Sequence, residues 1–297
     1  MTHDALNNHL AARPPYIGIN GKREPRLFHY TTYPGFVGIF TTKQLWATNI
    51  HYLNDVEEFK HGLQIVAYQA TKLAKSASRE QAILLRSIAE NVERFQRINI
   101  FVSSFSEKTD ILSQWRGYSA GGGIALNFDY EHLRRVSDRS SLLLVKCIYD
   151  SESKAQLVDE MLADVLAAFV NSKYQPEVPV DNYVTVFLYN FLPIAACFKH
   201  SAFSEEAEWR IVSRPIDMRD QRVDFRPTLK MITPYFKIDL EDGLNDLLKK
   251  PEIGVQEVMI GPTAEKDLLM EAVSGVIQNR NISVKSISHS AAPYREM

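Results

Sequence analysis

The stretch from Asn99 to Asp129 constrains the fold most, because it predicts a strand, a short helix, a glycine turn and a second strand in succession. Residues 100–106 begin with apolar side chains and carry hydroxyls toward their C-terminal end, which predicts a strand. Asp110 is predicted to open the helix, and Gly121–Gly123 to turn the chain into residues 124–128. Such a unit brings polar, aromatic and basic side chains to one rim of a sheet. We interpret that rim as one wall of a functional site, with these candidate residues: Ser104, Ser106, Trp115, Arg116 and Tyr118.

Composition and charge argue against several classes of function. The chain has 297 residues and a formal net charge of −2, so it lacks the basic balance typical of proteins that bind duplex nucleic acid. Its two cysteines, Cys147 and Cys197, are too few for a disulfide framework or a cysteine-based zinc site. No apolar run is long enough to cross a membrane, and the N-terminus lacks a signal-peptide pattern. We therefore expect a cytoplasmic protein that does not enter a membrane.

Helical and strand periodicities predict a single α+β domain over residues 25–297, preceded by a loose N-terminal arm over residues 1–24. Two helical insertions are expected, at about residues 55–97 and 153–198. The second helix of the first insertion is predicted to begin with a capping box, formed by Ser78 and a glutamine three residues later.

A β-α-β unit is predicted at the C-terminus, with strands at residues 255–260 and 282–287 around a helix at residues 264–279. Strand–helix–strand order implies a parallel pair with a right-handed crossover. Two short strands are predicted before this unit, at residues 229–232 and 235–240.

His29 lies in a strand-like run and is the first candidate for chemistry. One interpretation is a half-buried histidine that bonds a backbone carbonyl group, since histidine is intermediate in burial. The other is a donor to a ribose hydroxyl, or a general acid–base group. The sequence leaves both interpretations open.

Glu206 and Glu208 stand two residues apart in a run that alternates polar and apolar side chains. A strand here would project both carboxylates from one face. They form either a solvated polar face balanced by Arg210, or a catalytic pair. In the second case one carboxylate would stabilise a cationic, sugar-like transition state while the other orients a nucleophile.

The aromatic and basic candidates also have two interpretations. Trp115 or Tyr118 could offer a stacking surface to a planar ring, and Arg116 or Arg210 could clamp a phosphate, or all four could be ordinary rim and surface residues. The triple glycine precedes a strand, so it lacks the helix N-terminus that binds phosphate. The histidines show no short metal-ligand spacing, and we assign no metal.

Several short motifs, in order, resemble a widespread bacterial family that is known only as a domain of unknown function. They are FHYTT, LWAT with NDVEE, SSFSEKTDILSQW with GY, EEAEWRIV, VMIGP and S-x-x-P-Y-R. The resemblance extends over about residues 27–295, so it implies that nearly the whole chain is this domain.

A second, more distant resemblance is to the ADP-ribosyltransferase superfamily. Its members carry a His or Arg on an early strand, a hydroxyl or aromatic motif on a middle strand and a Glu on a late strand. His29-Tyr30-Thr31, Ser104-Phe105-Ser106 and Glu206-x-Glu208 fall in this order. The resemblance implies a mixed, split β-sheet core and an enzyme that uses NAD as a substrate. The resemblance also implies that the protein acts in the cell as a toxin-like protein or in defence against phage.

In that superfamily role, His29 would bond a ribose hydroxyl of NAD. Tyr30, Trp115 or Tyr118 would stack on the nicotinamide ring, and Arg116 or Arg210 would meet the pyrophosphate. Glu208 would stabilise the oxocarbenium-like state as the nicotinamide–ribose bond breaks.

Three functions stay open on the sequence. The first is ADP-ribosyl transfer from NAD to an unknown acceptor, with nucleic acid among the candidates. The second is a non-catalytic module that senses a small-molecule nucleotide or binds a partner. The third is a phosphotransferase or hydrolase that acts on nucleic-acid ends with the arginines as its main groups.

Overall fold

The computed structural model shows a mixed α+β fold, built on one large sheet with helices packed against both of its faces. It describes residues 24–293 except residues 55, 119–121, 172–178, 229–230, 243 and 246–249. Nearly all of the predicted N-terminal arm, and Gly121 of the predicted glycine turn, lie outside the described residues.

The elements are numbered in chain order. The strands are β1 (Leu27–Thr31), β2 (Gln44–Asn49), β3 (Phe101–Ser106), β4 (Ile124–Phe128), β5 (Leu142–Lys146), β6 (Glu208–Ser213), β7 (Val223–Pro227), β8 (Ile232–Asp239), β9 (Leu244–Asn245), β10 (Lys250–Pro251), β11 (Val255–Ile260) and β12 (Ser286–His289). The helices are α1 (Tyr33–Thr42), α2 (Val56–Leu73), α3 (Arg79–Phe95), α4 (Leu112–Tyr118), α5 (Tyr130–Arg139), α6 (Ser151–Asn171), α7 (Val180–Ala195) and α8 (Lys266–Asn279). Two 3₁₀ turns lie at Ile50–Tyr52 and Ser201–Glu206.

The large sheet runs in the order β12-β11-β4-β1-β3-β2-β8-β7, and β6 joins β3 to β5 beside this path. β11 and β12 pair in parallel, whereas β11 and β4 pair antiparallel, which makes the sheet mixed. The predicted C-terminal β-α-β unit is therefore confirmed, with α8 as the crossover, although its last strand lies at residues 286–289 instead of 282–287. β9 and β10 form a separate small sheet.

The two predicted helical insertions pack together on one face of the sheet. Each of the helices α2, α3, α6 and α7 contacts the other three. Their apolar residues surround Val102 of β3 and Val212 of β6, which are cross-strand neighbours. The capping box at Ser78 opens α3 as predicted. Segments that the sequence treats as separate insertions thus form one helical layer, because each amphipathic helix buries its apolar stripe against the others.

The opposite face of the sheet is covered by α1, α5 and α8. Phe105 and Trp209, whose side chains alternate with those on the helical-layer face, lie in this second core. The strand predicted at residues 235–240 is confirmed within β8, which spans residues 232–239, whereas β7 at residues 223–227 was not predicted. Residues 229–230 of the strand predicted at residues 229–232 lie outside the described residues. β7 is rich in charged residues, yet it pairs with β8 along its whole length. This pairing makes the hairpin longer than the sequence predicts.

Replacing Gly254 with alanine should destabilise the fold by about 2–4 kcal/mol in urea denaturation. Gly254 has φ of +73°, and a Cβ atom there would come within 2.5 Å of Cγ of His132. His132 is held in place, because it is fully buried and its Nε2 bonds the Leu240 carbonyl oxygen at 2.9 Å.

The matched control is Gly275→Ala inside α8, where nothing lies within 4 Å of the added atom. This change should be neutral or stabilise by about 0.5–1 kcal/mol, since glycine weakens a helix interior. Equal free energies of unfolding for the two variants would contradict the argument.

Candidate functional site

The sheet divides at β3, and this division defines the candidate site. β6 pairs with one edge of β3 from Val102 to Ser106. Within the described strands, the other edge is shared: β1 pairs with it at Ser106, and β2 pairs with it at Phe101 and Val102. Beyond these pairs β1 continues along β4, and β2 continues along β8. The remaining edges of β1 and β2 diverge from the middle of β3, and we call the gap between them the split.

His29 lies in the split, where β1 leaves β3. It is half-buried, its Nδ1 lies 2.9 Å from the carbonyl oxygen of Ser104, and its ring centre lies 5.6 Å from that of Phe105. Because a carbonyl oxygen only accepts, Nδ1 carries the hydrogen. Burial lowers the pKa of His29, and the bond to Ser104 opposes this shift in part. The neutral ring therefore presents Nε2 as an acceptor, and no described group bonds it.

The interpretation of His29 as a half-buried histidine bonded to a backbone carbonyl is confirmed. Its bond to a ribose hydroxyl stays a prediction. The two are compatible, because the carbonyl uses one ring nitrogen and leaves the other to a ligand.

A buried ion cluster lies at the start of β6. The Lys199 ammonium donates to Glu206 Oε2 and to Glu208 Oε2, both at 2.5 Å. Arg210 Nε donates to Glu208 Oε1 at 2.7 Å, and Arg210 also donates to the carbonyl oxygen of Ala196. Burial by itself would raise the pKa of Glu208, but the charges and hydrogen bonds of Arg210 and Lys199 outweigh it and lower the pKa to about 2. Glu208 is therefore ionised at neutral pH.

The prediction that Glu206 and Glu208 project from one strand was wrong. Glu206 ends the 3₁₀ turn, and Ala207, with φ of +42°, separates it from Glu208 at the start of β6. The two carboxylates still meet, because the turn folds back toward the Lys199 ammonium. A cation, and not strand geometry, therefore brings the two carboxylates together.

The strand register does not bring His29 and Glu208 to one face of the sheet. Phe28 pairs with Ser106, and Ser106 pairs with Glu208, so these three side chains share a face. His29 follows Phe28 and starts from the opposite face. Two strand spacings, about 10 Å, separate β1 from β6. The register alone therefore does not join the imidazole to the Glu208 carboxylate, and the expected hollow between them stays a prediction.

Tyr30 and Trp115 form a packed pair on the β1 side of the split. Their ring centres lie 4.8 Å apart in an edge-on arrangement, and the Tyr30 hydroxyl donates to the Lys108 carbonyl oxygen at 3.2 Å. The Trp115 indole donates to Asp110 at 2.8 Å, and Asp110 also accepts from the hydroxyl of Ser290. Both rings are buried, so they serve packing more than open stacking. Asp110 precedes α4 instead of opening it, since the helix begins at Leu112.

The other predicted site residues are spread around this region. Ser106 is buried, and its hydroxyl donates to the Glu206 carbonyl oxygen at 2.6 Å. Ser104 and Thr31 are half-buried, whereas Arg116 and Tyr118 are exposed on α4. Arg210 is fully enclosed in the ion cluster and does not offer a fork to a ligand.

Sequence reasoning missed a second group of residues at the split, on the β2 side. Trp46 of β2 stacks on Tyr235 of β8, with ring centres 4.3 Å apart and planes at 26°. Arg226 of β7 donates to Thr48 Oγ1 at 3.0 Å, and its guanidinium carbon lies 6.0 Å from the centre of the Tyr235 ring. Trp46 belongs to the LWAT motif, but no sequence signal joins it to Arg226, because both meet Tyr235 only through the pairing of β2, β8 and β7.

No group of three potential metal ligands lies close together in the described residues. Among the described helices, none has the length and apolar character needed to cross a bilayer.

The fold and the split define a mixed α+β protein with a candidate ligand site where its sheet divides. Residues 114–211 match the model of a family described as protein of unknown function (DUF2971). The predicted membership of a family of unknown function is confirmed over this segment, which runs from α4 into β6 and holds the ion cluster but not His29. No curated protein and no solved structure matches the chain. The resemblance to ADP-ribosyltransferases stays a prediction.

Proposed function

We propose that this protein is an ADP-ribosyltransferase-like enzyme that binds NAD at the split and cleaves its nicotinamide–ribose bond. The observation that carries the proposal is the division of the sheet at β3, with His29 at its apex and the stacked Trp46 and Tyr235 on its β2 side. A nucleotide needs a flat apolar surface for its ring and polar groups for its ribose. The half-buried Trp46, stacked on Tyr235, supplies the ring surface from the Glu208 face of the sheet, and His29 supplies the polar group from the edge of β1, where its ring meets Ser104.

His29 supplies an acceptor to a ribose hydroxyl in this proposal. With Nδ1 held by Ser104 and the ring neutral, Nε2 accepts the hydroxyl hydrogen and fixes the orientation of the sugar. Orientation matters, because a group that is correctly placed before the reaction lowers the barrier without paying for reorganisation.

We assign the reacting carboxylate to Glu206 and a positioning role to Glu208. The Glu206 side chain is 15% exposed, whereas that of Glu208 is 4% exposed. Both oxygens of Glu208 receive hydrogen bonds from Arg210 and Lys199, so Glu208 fixes the ammonium that in turn holds Glu206. The Glu206 backbone is tied to Ser106, the residue at which β1 leaves β3.

The bond that breaks joins ribose C1′ to the ring nitrogen of nicotinamide. Nicotinamide leaves with the electron pair of that bond, and positive charge develops on the ribose. The Glu206 carboxylate stabilises this charge, and the acceptor nucleophile then forms the new bond to C1′ and loses its proton to solvent. With water as the acceptor, the product is ADP-ribose.

The proposal is tested by incubating the purified protein with NAD and separating the products by chromatography. We expect nicotinamide to appear in amounts that rise with protein and time, together with ADP-ribose or a labelled acceptor. Bound NAD that is recovered intact after many hours would overturn the catalytic assignment.

A second candidate function is a nucleotide sensor without turnover. The observation that favours it is the enclosure of Glu208, whose charge is already balanced by two cations. Calorimetry with NAD, ADP-ribose and ADP separates the two functions. Saturable binding of NAD with no nicotinamide release supports the sensor, whereas release supports the enzyme.

A further inference from the structure

Arg226 stands out among the arginines of its hairpin, because it is half-buried and has no carboxylate partner among the described residues. Arg222, four residues earlier, donates two hydrogen bonds to Asp220. The carboxylate closest along β7, that of Asp224, is already paired with Lys237 at 2.6 Å. The charge of Arg226 is therefore left uncompensated within the described part of the chain.

An uncompensated, partly buried cation is unfavourable for the isolated protein. Burial lowers the pKa of Arg226, and the electrostatic interaction with Tyr235 opposes this shift in part. The described contacts of its guanidinium use one nitrogen, which donates to Thr48, so most of its five donor hydrogens are left for another acceptor.

Trp46 gives a second, independent observation. Its indole nitrogen is buried and has no hydrogen-bond partner among the described residues. The other two indoles are satisfied, with Trp115 donating to Asp110 at 2.8 Å and Trp209 to Glu107 at 2.6 Å. Buried donors are nearly always paired, so the Trp46 N–H indicates a missing acceptor.

The Trp46 indole and the Arg226 guanidinium both lie against the ring of Tyr235. Trp46 stacks on Tyr235, and Arg226 lies over Tyr235 while bonding Thr48, which is two residues from Trp46 on β2. Thr48 pairs with both Val102 and Tyr235, so these side chains share the face that carries Glu208. The group therefore lies beside the split and on the side of the ion cluster.

We propose that Arg226, with the Trp46 indole N–H and the Thr48 hydroxyl, binds a phosphate group of the nucleotide. A guanidinium fork matches the oxygen spacing of a phosphate, and a neutral N–H and a hydroxyl complete its hydrogen bonds. This inference rests on the proposed function for the class of ligand, but not on turnover. It replaces Arg210, which the ion cluster occupies, as the phosphate-binding arginine.

The test measures ligand binding to the wild-type protein and to the variants Arg226→Gln and Arg226→Lys, by calorimetry and by tryptophan fluorescence. The probes are ADP-ribose, inorganic pyrophosphate and adenosine, which has no phosphate. We expect Arg226→Gln to weaken ADP-ribose binding at least tenfold and to abolish competition by pyrophosphate, with adenosine unaffected. Arg226→Lys should be intermediate, because it keeps the charge and loses the fork.

Arg222→Gln is the matched control, since it removes an arginine of the same hairpin that is already paired with Asp220. It should leave every affinity unchanged. Without ligand, Arg226→Gln should melt at the same temperature as wild type or higher, because it removes an uncompensated charge. A lower melting temperature with unchanged affinity for ADP-ribose would mean a structural role and would overturn the inference.

The outcomes separate this inference from the proposed enzyme. Pyrophosphate binding that depends on Arg226, with no nicotinamide release, leaves the phosphate site standing and overturns the enzyme. Nicotinamide release that is unchanged in Arg226→Gln leaves the enzyme standing and overturns the phosphate site. A wild-type protein that binds neither ADP-ribose nor pyrophosphate overturns both.

Discussion

Replacing Glu208 with glutamine should destabilise the protein by about 3–5 kcal/mol, because it leaves two buried cations without their shared anion. Lys199 and Arg210 are 2% and 1% exposed, so water cannot replace the lost carboxylate. The melting temperature should fall by roughly 6–20 °C, measured by circular dichroism. Glu208, which the sequence pattern indicates as a catalytic residue, is thus expected to act mainly on stability.

The same interaction predicts an acid limb in the stability profile. The pKa of Glu208 is lowered to about 2 in the folded protein, against roughly 4.3 in the unfolded chain. A lowered folded pKa means that the contribution is fully present above the unfolded pKa and is lost as the pH falls from about 4 toward 2. Glu208→Gln should lose that part of the pH dependence.

Glu205→Gln is the matched control, because Glu205 is exposed and lies three residues away in the 3₁₀ turn. It should change the free energy of unfolding by less than about 0.5 kcal/mol. If the Glu208→Gln protein is as stable as this control, the ion cluster contributes little to the free energy of unfolding. Glu208 would then again be a candidate for a catalytic acid.

Replacing His29 with alanine should lower kcat/KM for nicotinamide release by roughly 100–1,000-fold, the usual effect of removing one preorganised hydrogen-bonding group from an active site. The loss should appear in both binding and turnover, since Nε2 orients the ribose before the bond breaks. Activity is measured by chromatographic release of nicotinamide from NAD. Added imidazole should restore part of it, which a purely structural defect would not allow.

The control for His29 is His61→Ala, an exposed histidine on α2. It should retain full activity. Activity within threefold of wild type in a folded His29→Ala protein would remove this residue from the mechanism. Glu206→Gln then separates NAD binding from cleavage of the nicotinamide–ribose bond. Binding should persist because the amide keeps the shape of the side chain, and cleavage should be lost because the amide cannot stabilise a positive ribose.

The sequence was most informative where structure is local. The Ser78 capping box, the helical periods of α2, α3, α6 and α7, and the C-terminal β-α-β unit follow from residues within about one element of each other. The family of unknown function was recognised from ordered short motifs and matches residues 114–211. His29 was placed correctly in an early strand.

The site could be predicted less well, because its contacts join distant parts of the chain. Glu206 and Glu208 were rightly seen as a pair, but the cation that joins them, Lys199, follows a helix and has no motif of its own. Arg226 meets Thr48 across 178 positions of the chain. No spacing rule reaches that far.

By itself, the sequence determined most of the helices, the central strands and the residue types available for binding, because periodicity and capping act over a few residues. The tertiary structure alone decided which side chains share a face, through the register of β1, β3 and β6 and the division of the sheet at β3. That register enclosed Glu208 between two cations, and beside the split it left the Arg226 charge without a described carboxylate and the Trp46 indole N–H without a described acceptor. A shift of one residue in pairing exchanges the two faces of a strand, so function here depends on pairings that no local pattern encodes.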